Sequence, residues 1–431
     1  MRVAVVGAGW AGMAAAVEAT AAGHRVRVYE ASRTLGGRAR AVPATLPDGS
    51  RTMLDNGQHI LIGAYTVALA LMRQVGVNPH QALLRLPLAL LFADGGGLQL
   101  PRWPAPWDAV AGILRATGWS ASDKLSLLLL ATRWRLAGFR CPPGHSVRRL
   151  CATLSERVMR DMVEPLCVSA LNTPADRASG QMFLRVMQDS VFGGPGGSNL
   201  LLPRVDLSTL FPDAAARWVR QHGGEIRLGA RVLRLESRPS SWSVDGDIFE
   251  LVVLAVPSSD AVRLVETCLP SVHATLARQM ADWCVSATDL EHEPIATVYA
   301  WGRGAALAHP MLLLRSGPAA PAQFVFDRGQ LGGPRGLLAF VVSASQGERD
   351  ALQAQVLAQA SAQLGLELQA VQTVVEKRAT FACTPGLQRP GMQIAPGLVA
   401  GADYVEGPYP STLEGAVRAG VAAIRSSGSA S

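Results

Sequence analysis

Lysine is almost missing from this sequence of 431 residues. Lys124 and Lys377 are its only two, so the basic set is nearly all arginine, scattered and without runs. Despite a net charge of +7, that lack of basic runs argues against nucleic acid as a partner. Cysteine is sparse too: six residues with no regular spacing exclude a disulfide-stapled secreted scaffold and a zinc ribbon. No other metal-ligand spacing and no G-x-S-x-G occurs, and the histidines are dispersed. Charge is low at 17% against 49% hydrophobic, with a mean hydropathy of +0.20. These values exclude disorder, collagen and a coiled coil. No apolar run reaches the ~20 residues that cross a bilayer. The greasiest, 83–92 and 125–131, are too short, and the first is broken by Arg85 and Pro87. Three glycines in the first twelve residues argue against a signal peptide. The expectation is an intracellular protein with reduced thiols that touches a membrane surface or a greasy substrate.

What is present is concentrated at the N-terminus. Residues 3–6 form a short β-branched apolar run suited to a strand buried on both faces. It leads into Gly7-Ala8-Gly9-Trp10-Ala11-Gly12, then an alanine-rich helical stretch over 13–22, a capping Gly23, and a strand over 25–29 that ends at Glu30. In such a βαβ unit Gly7 makes the tight turn, Gly9 admits a pyrophosphate to the backbone, and Gly12 lets the helix pack on the strand. The helix N-terminus meets the phosphate charge, and the acid, here Glu30, accepts from a ribose. The alternative, a glycine turn in an unrelated α/β protein, does not account for all five parts in order.

Leu35-Gly36-Gly37-Arg38-Ala39 follows directly, where a nicotinamide dehydrogenase would continue its sheet. A glycine pair with an arginine suits a second loop around the pyrophosphate of an extended FAD, with Arg38 as counter-charge. The pattern resembles the flavin amine oxidase and phytoene desaturase superfamily. Further motifs narrow the resemblance. They are Asp55-Asn56-Gly57-Gln58-His59, Glu164-Pro165-Leu166-Cys167 running into Ala170-Leu171-Asn172-Thr173, Gly197-Ser198-Asn199 leading to Leu202-Pro203-Arg204, and Leu207-Ser208-Thr209-Leu210-Phe211-Pro212. With them the chain looks like the squalene-associated, FAD-dependent desaturase-like family, along essentially its whole length.

That resemblance implies an α/β fold: a Rossmann-like FAD-binding domain with an inserted mixed α+β substrate domain. The FAD-binding parts would be 1–65, 193–262 and 380–431. Residues 66–192 would form a mainly helical, membrane-facing insert, and 263–379 the substrate sheet and helices. It implies non-covalent FAD held by Gly7, Ala8, Gly9, Trp10, Ala11, Gly12, Glu30, Ala31, Gly37 and Arg38 at one end. Asn56, Gly57, Gln58 and His59 would pass the flavin ring, the backbone near Val232 would face the adenine, and Gly401, Asp403, Thr412 and Leu413 would close the C-terminal side. Ala402 departs from a glycine that usually precedes that aspartate. The implied activity is FAD-dependent reductive removal of the hydroxyl of hydroxysqualene, a long-chain isoprenoid. A carotenoid-type desaturase or an amine oxidase is the rival, and a non-catalytic prenyl-lipid escort a more distant one. The intact glycines, Glu30 and Arg38 speak against the escort. No motif identifies the electron donor.

Two residues are candidates for the protonation that a leaving hydroxyl needs, His59 and Tyr65. The competing reading is that His59 only hydrogen-bonds flavin or backbone, with the proton coming from water or from Tyr65. Cys167 reads as a small buried hydrophobe rather than a nucleophile. Trp103, Trp107, Trp119 and Trp134 read either as helical core or as an amphipathic entrance at lipid headgroup level. The expected location is cytoplasmic, peripheral to the inner face of the membrane.

Overall fold

The computed structural model describes residues 1–104 and 106–428. The opening motif folds as strand Arg2–Val6, helix Trp10–Ala21 and strand Arg25–Glu30. The helix starts earlier than its alanine content suggests because Gly9 is its N-terminal cap. These strands sit in a six-stranded sheet ordered Glu225–Leu228, Arg25–Glu30, Arg2–Val6, Leu251–Leu254, Leu398–Ala400, Gln393–Ala395. All neighbours are parallel except the last pair. The strands Arg2–Val6 and Leu251–Leu254 are nearly continuous β-branched or leucine runs because both of their faces are covered. Helix Leu413–Gly428 lies so close over helix Trp10–Ala21 that a Cβ on Gly420 would stand 2.1 Å from the Ala11 carbonyl oxygen. A three-stranded meander of Leu235–Arg238, Ser241–Val244 and Asp247–Phe249 adds Phe249, whose ring meets Tyr29 edge-on at 6.2 Å.

One sequence reading fails here. Residues 226–235, whose recurring apolar side chains read as one strand in the sequence, do not form a single strand. The strand Glu225–Leu228 ends at Gly229, whose φ of +67° turns the chain, and pairing resumes only at Leu235. Val232 is therefore buried in an irregular segment on the cavity wall, where its carbonyl accepts from Arg263 at 3.3 Å.

A second, antiparallel sheet is ordered Met311–Leu313, Phe324–Asp327, Leu337–Ser343, His292–Trp301, Gln369–Phe381. Helix Arg349–Leu364 covers one face of it through Leu352, Val356 and Ala360. Residues 66–192 are built mostly of helices, with the hairpin Ala89–Leu91/Gly97–Gln99 among them. One stretch changes pitch: Glu156–Val158 is α, Met159–Val163 is a π-turn, and Glu164–Leu171 is α again. The four tryptophans of this region divide. Trp119 and Trp134 are core, whereas Trp103 and Trp107 are exposed by 50% and 65%. No helix among the described residues is long and apolar enough to cross a membrane.

Candidate functional site

The carboxyl ends of the parallel strands open on one continuous cavity of about 560 Å³, the place where open α/β sheets bind ligands. At its first end, Gly7 has a φ of +104°, and a Cβ there would strike the Ala255 carbonyl oxygen at 2.5 Å. A Cβ on Gly12 would lie 1.9 Å from the Gly7 oxygen, so this glycine seats the helix against the strand. Gly9 is different: its nearest neighbour would be the Gly37 Cα at 3.9 Å. The Gly36 N–H donates to the Ala8 carbonyl at 2.9 Å and brings the second glycine loop alongside the first. The cap Gly9 has no side-chain hydrogen bond and the first helical turn no acid. The N–H groups around Gly9, Trp10 and Ala11 therefore present partial positive charge to the cavity they line.

Glu30 accepts the Ala8 N–H at 2.7 Å and the Ser32 N–H at 2.8 Å, one on each oxygen. Glu30 lines the cavity together with Ala31 and, farther along, Val232. These features fit an adenine dinucleotide: a gap between two glycine loops, a helix N-terminus facing it, and an anchored acid beside it.

Arg38 lines the cavity but is not the free counter-charge its position suggested. It pairs with Asp403 at 2.6 Å and donates to the carbonyls of Ala379 and Arg378 at 2.8 and 3.2 Å. The carboxylate neutralises the guanidinium, so the positive field at the cradle comes chiefly from the helix terminus. Ala8 and Gly401 do not line the cavity, and Gly12 serves it only through the packing of the helix on the strand. Gly401 instead packs on Val253 and Ala423, where a Cβ would find neighbours at 3.0 and 3.3 Å. Ala402 lines the cavity in its place.

At the middle of the cavity the segment Asn56–His59 forms one wall. Asn56 donates to the Arg38 carbonyl at 3.2 Å. The His59 Nδ1 lies 2.8 Å from the Gly57 carbonyl oxygen. A carbonyl only accepts, so Nδ1 carries the proton and Nε2 keeps its lone pair. Burial lowers the pKa of this imidazole below its ordinary value. His59 is thus neutral at physiological pH, an acceptor at Nε2 with its one proton already engaged. Tyr65 is the opposite case: burial raises its pKa, and its hydroxyl, hydrogen-bonded with Thr412, holds its proton. Its ring meets Tyr409 at 6.2 Å and 79°, edge to face. Behind it, fully buried Glu414 accepts the N–H groups of Val67 and Ala68 at 3.0 and 2.9 Å and pairs with Arg418 at 2.7 Å. It thereby fixes helix Thr66–Gln74 to the helix that begins at Leu413 beside Thr412 on the cavity wall.

Behind this wall, Asp55 of the motif meets a group that escaped sequence reasoning, Arg328. Arg328, itself buried, donates to Gln58 Oε1 at 3.2 Å and lies 3.7 Å from Asp55 Oδ2. Asp55 accepts the Leu207 N–H at 2.8 Å on Oδ1, while Oδ2 has no hydrogen bond. Burial pushes the Asp55 carboxyl up to about 6 despite the attraction of Arg328. Nothing local in sequence links Arg328 to the Gln58 segment. Only the antiparallel sheet brings them together.

The far end of the cavity is apolar, lined by Leu88, Leu90, Leu166, Val168, Phe324 and Phe326 among others. The motif around Asn172 clamps this wall. Asn172, left-handed at φ +46°, ends helix Glu164–Leu171. It donates to Thr380 Oγ1 at 2.9 Å and the Glu293 carbonyl at 3.3 Å, and accepts the Ala344 N–H at 2.9 Å. The helix is thus stitched to the second sheet at three points. Cys167 is fully buried, donates to the Thr173 carbonyl, and is held far from a thiolate by burial. It is a packing residue.

A sequence profile described as flavin containing amine oxidoreductase matches residues 10–423. The chain belongs to that family. Among curated members it is 29% identical over 239 residues to a hydroxysqualene dehydroxylase of Zymomonas mobilis, an alignment spanning 54% of each chain. It is 28% identical over 452 residues to one of Rhodopseudomonas palustris, 96% of each. A shorter match, 42% over 83 residues or 19% of this chain and 16% of the other, is to a zeta-carotene desaturase of Synechocystis. An oxidoreductase from Methanosarcina mazei superposes with a TM-score of 0.74 at 17% identity over 99% of this chain and 100% of that one. The resemblance read from the motifs therefore stands. This member of the flavin oxidoreductases carries the family's glycine cradle at one end of its cavity and an apolar chamber at the other.

Proposed function

We propose that this flavin oxidoreductase binds FAD non-covalently and reductively removes the hydroxyl of hydroxysqualene to give squalene, a step of squalene and hopanoid formation. The observation that carries the reading is the single cavity running from the dinucleotide cradle into a chamber walled by leucine, valine and phenylalanine. Its full-length similarity to hydroxysqualene dehydroxylases supplies the substrate class. In this reading residues 1–65, 193–262 and 380–431 hold the cofactor, while 66–192 and 263–379 form the chamber. The glycine loops and helix N-terminus hold the pyrophosphate, Glu30 the ribose, and the Asn56–His59 wall the flavin ring. The chemistry a reduced flavin supplies when bound is hydride donation to the allylic carbon.

The chain's own residues do the rest. The neutral His59 accepts the substrate hydroxyl at Nε2 and orients it. Tyr65, kept protonated by burial, stands as the O–H donor from which the departing hydroxyl leaves as water. The apolar chamber keeps other water from an allylic cation. The Tyr65 and Tyr409 rings meet edge to face rather than as a facing pair that would grip an ammonium, which speaks against an amine oxidase role. We place the protein at a membrane surface on the cytoplasmic side, attached through residues 66–192. Anaerobic incubation of the dithionite-reduced holoprotein with hydroxysqualene, and of the oxidised holoprotein with phytoene and with an alkyl amine, tests the reading. Squalene from the first alone supports it. Desaturated polyenes or amine oxidation by the oxidised protein would favour the rivals.

A further inference from the structure

The chain's excess positive charge is not spread over its surface. Residues 102–160 contain ten arginines and lysines against three acids, a surplus of seven that equals the net charge of the whole chain. The remaining residues carry thirty of each sign. Two of the three acids, Asp108 and Asp123, are buried, and the third, Glu156, pairs with Arg148 at 3.0 Å. The same segment holds half of the large exposed hydrophobic side chains among the described residues: Trp103, Trp107, Leu114, Leu125, Leu129 and Leu136.

Helix geometry orders these residues. In helix Ala121–Leu136, 3.6 residues per turn place Leu125, Leu129 and Leu136 within about 40° of arc. Leu127, Leu130 and Trp134 take the opposite, buried face. Arg133 flanks the outer leucine stripe on one side, and Arg135 with Lys124 on the other. In helix Trp107–Arg115, Trp107 and Leu114 likewise share one outward line, with Arg115 beside them and over the Trp103 ring at 5.1 Å. Both helices thus show an apolar stripe edged by cations, with no free acid between them.

From this charge and apolar pattern we infer that the two helices form a docking face for an anionic lipid bilayer. The leucines and tryptophans enter the acyl boundary, and the arginines meet the headgroup phosphates. A nucleic acid would use the cations but has no place for the leucine stripe. The inference deepens the proposed membrane location and rests on it.

Sedimentation of the full-length holoprotein with vesicles tests it. One set is phosphatidylcholine, the other phosphatidylcholine with 30% phosphatidylglycerol. Binding to the anionic set is expected to exceed binding to the neutral set by at least tenfold and to fall with salt. Arg133→Gln with Arg135→Gln should weaken anionic binding about fivefold per charge removed. Leu129→Ser with Leu136→Ser should abolish the binding that survives 1 M salt. All four positions are exposed, so unchanged melting curves are expected. Equal binding to both vesicle sets, or double variants that bind like the parent, would overturn the inference. So would a dimer that the leucine variant dissociates, or binding to single-stranded RNA with none to vesicles. Turnover of hydroxysqualene in detergent micelles separates the two claims. Turnover without vesicle binding removes the docking face alone, and vesicle binding without turnover removes the proposed reaction alone.

Discussion

Adding one methyl group at Gly9 should empty the site without unfolding the protein. Gly9 has φ −72° and ψ −176°, extended backbone that any residue adopts, and a Cβ there meets only the Gly37 Cα at 3.9 Å. The apoprotein should therefore lose at most about 1 kcal/mol, the difference between glycine and alanine as a helix cap. The same methyl would project into the gap between the two glycine loops. A pyrophosphate there would forfeit one or two charge-assisted hydrogen bonds, each worth about 1.5–3 kcal/mol. Gly9→Ala should raise the Kd for FAD on the order of 10²-fold or more. Gly12→Ala is the contrast, since its Cβ would overlap the Gly7 carbonyl oxygen at 1.9 Å. It should fail to accumulate as folded protein. The assay is fluorescence titration of deflavinated protein with FAD, beside thermal melting of the same samples. A stable Gly9→Ala protein that binds FAD with the parent's Kd would show that no phosphate lies over this loop.

Glu30→Arg should leave the protein colourless, because it removes the acceptor of two backbone N–H groups and of the ribose hydroxyls. Yellow, fully loaded protein would falsify the role given to Glu30. His59→Gln, which keeps an acceptor, should turn over within about tenfold of the parent, and His59→Phe about 10²-fold slower, both with FAD bound. Stopped-flow reoxidation of the reduced flavin by hydroxysqualene reads this. A parent rate that falls as pH rises through the imidazole range and is lost equally in both variants would make His59 an acid after all. Asp55 predicts a pH dependence of stability. Its folded pKa of about 6 lies above the ordinary 3.8, so the folded state binds more protons between those values. Its contribution should therefore rise as pH falls from 7 to 4, by about 2 kcal/mol. Urea unfolding at pH 7 and 5 should show this slope flattened in Asp55→Asn; identical slopes in the two proteins would remove the assignment.

The parts legible in sequence were those whose signals are local. The strand, glycine turn, helix and acid of the first thirty residues each follow from neighbouring residue types. The strand expected over 226–235 broke because a single left-handed glycine outweighed a long apolar pattern. Long-range partners left no local trace. Asp403 neutralises Arg38, Arg328 holds Gln58, and Glu414 caps a helix more than three hundred residues away. The His59 tautomer is likewise decided by the direction of the Gly57 carbonyl, which only the fold supplies. The tryptophans were ambiguous for a different reason. Helix Ala121–Leu136 carries leucine on both faces, so periodicity could not tell inside from outside.

The most direct test of the central claim is a single anaerobic turnover. Holoprotein reduced stoichiometrically with dithionite is mixed with one equivalent of hydroxysqualene, and the flavin spectrum and extracted lipid are followed together. The account predicts that oxidised flavin and squalene appear in equal amounts, with hydride from the flavin found on the former carbinol carbon. Flavin that stays reduced while hydroxysqualene is recovered intact would contradict it.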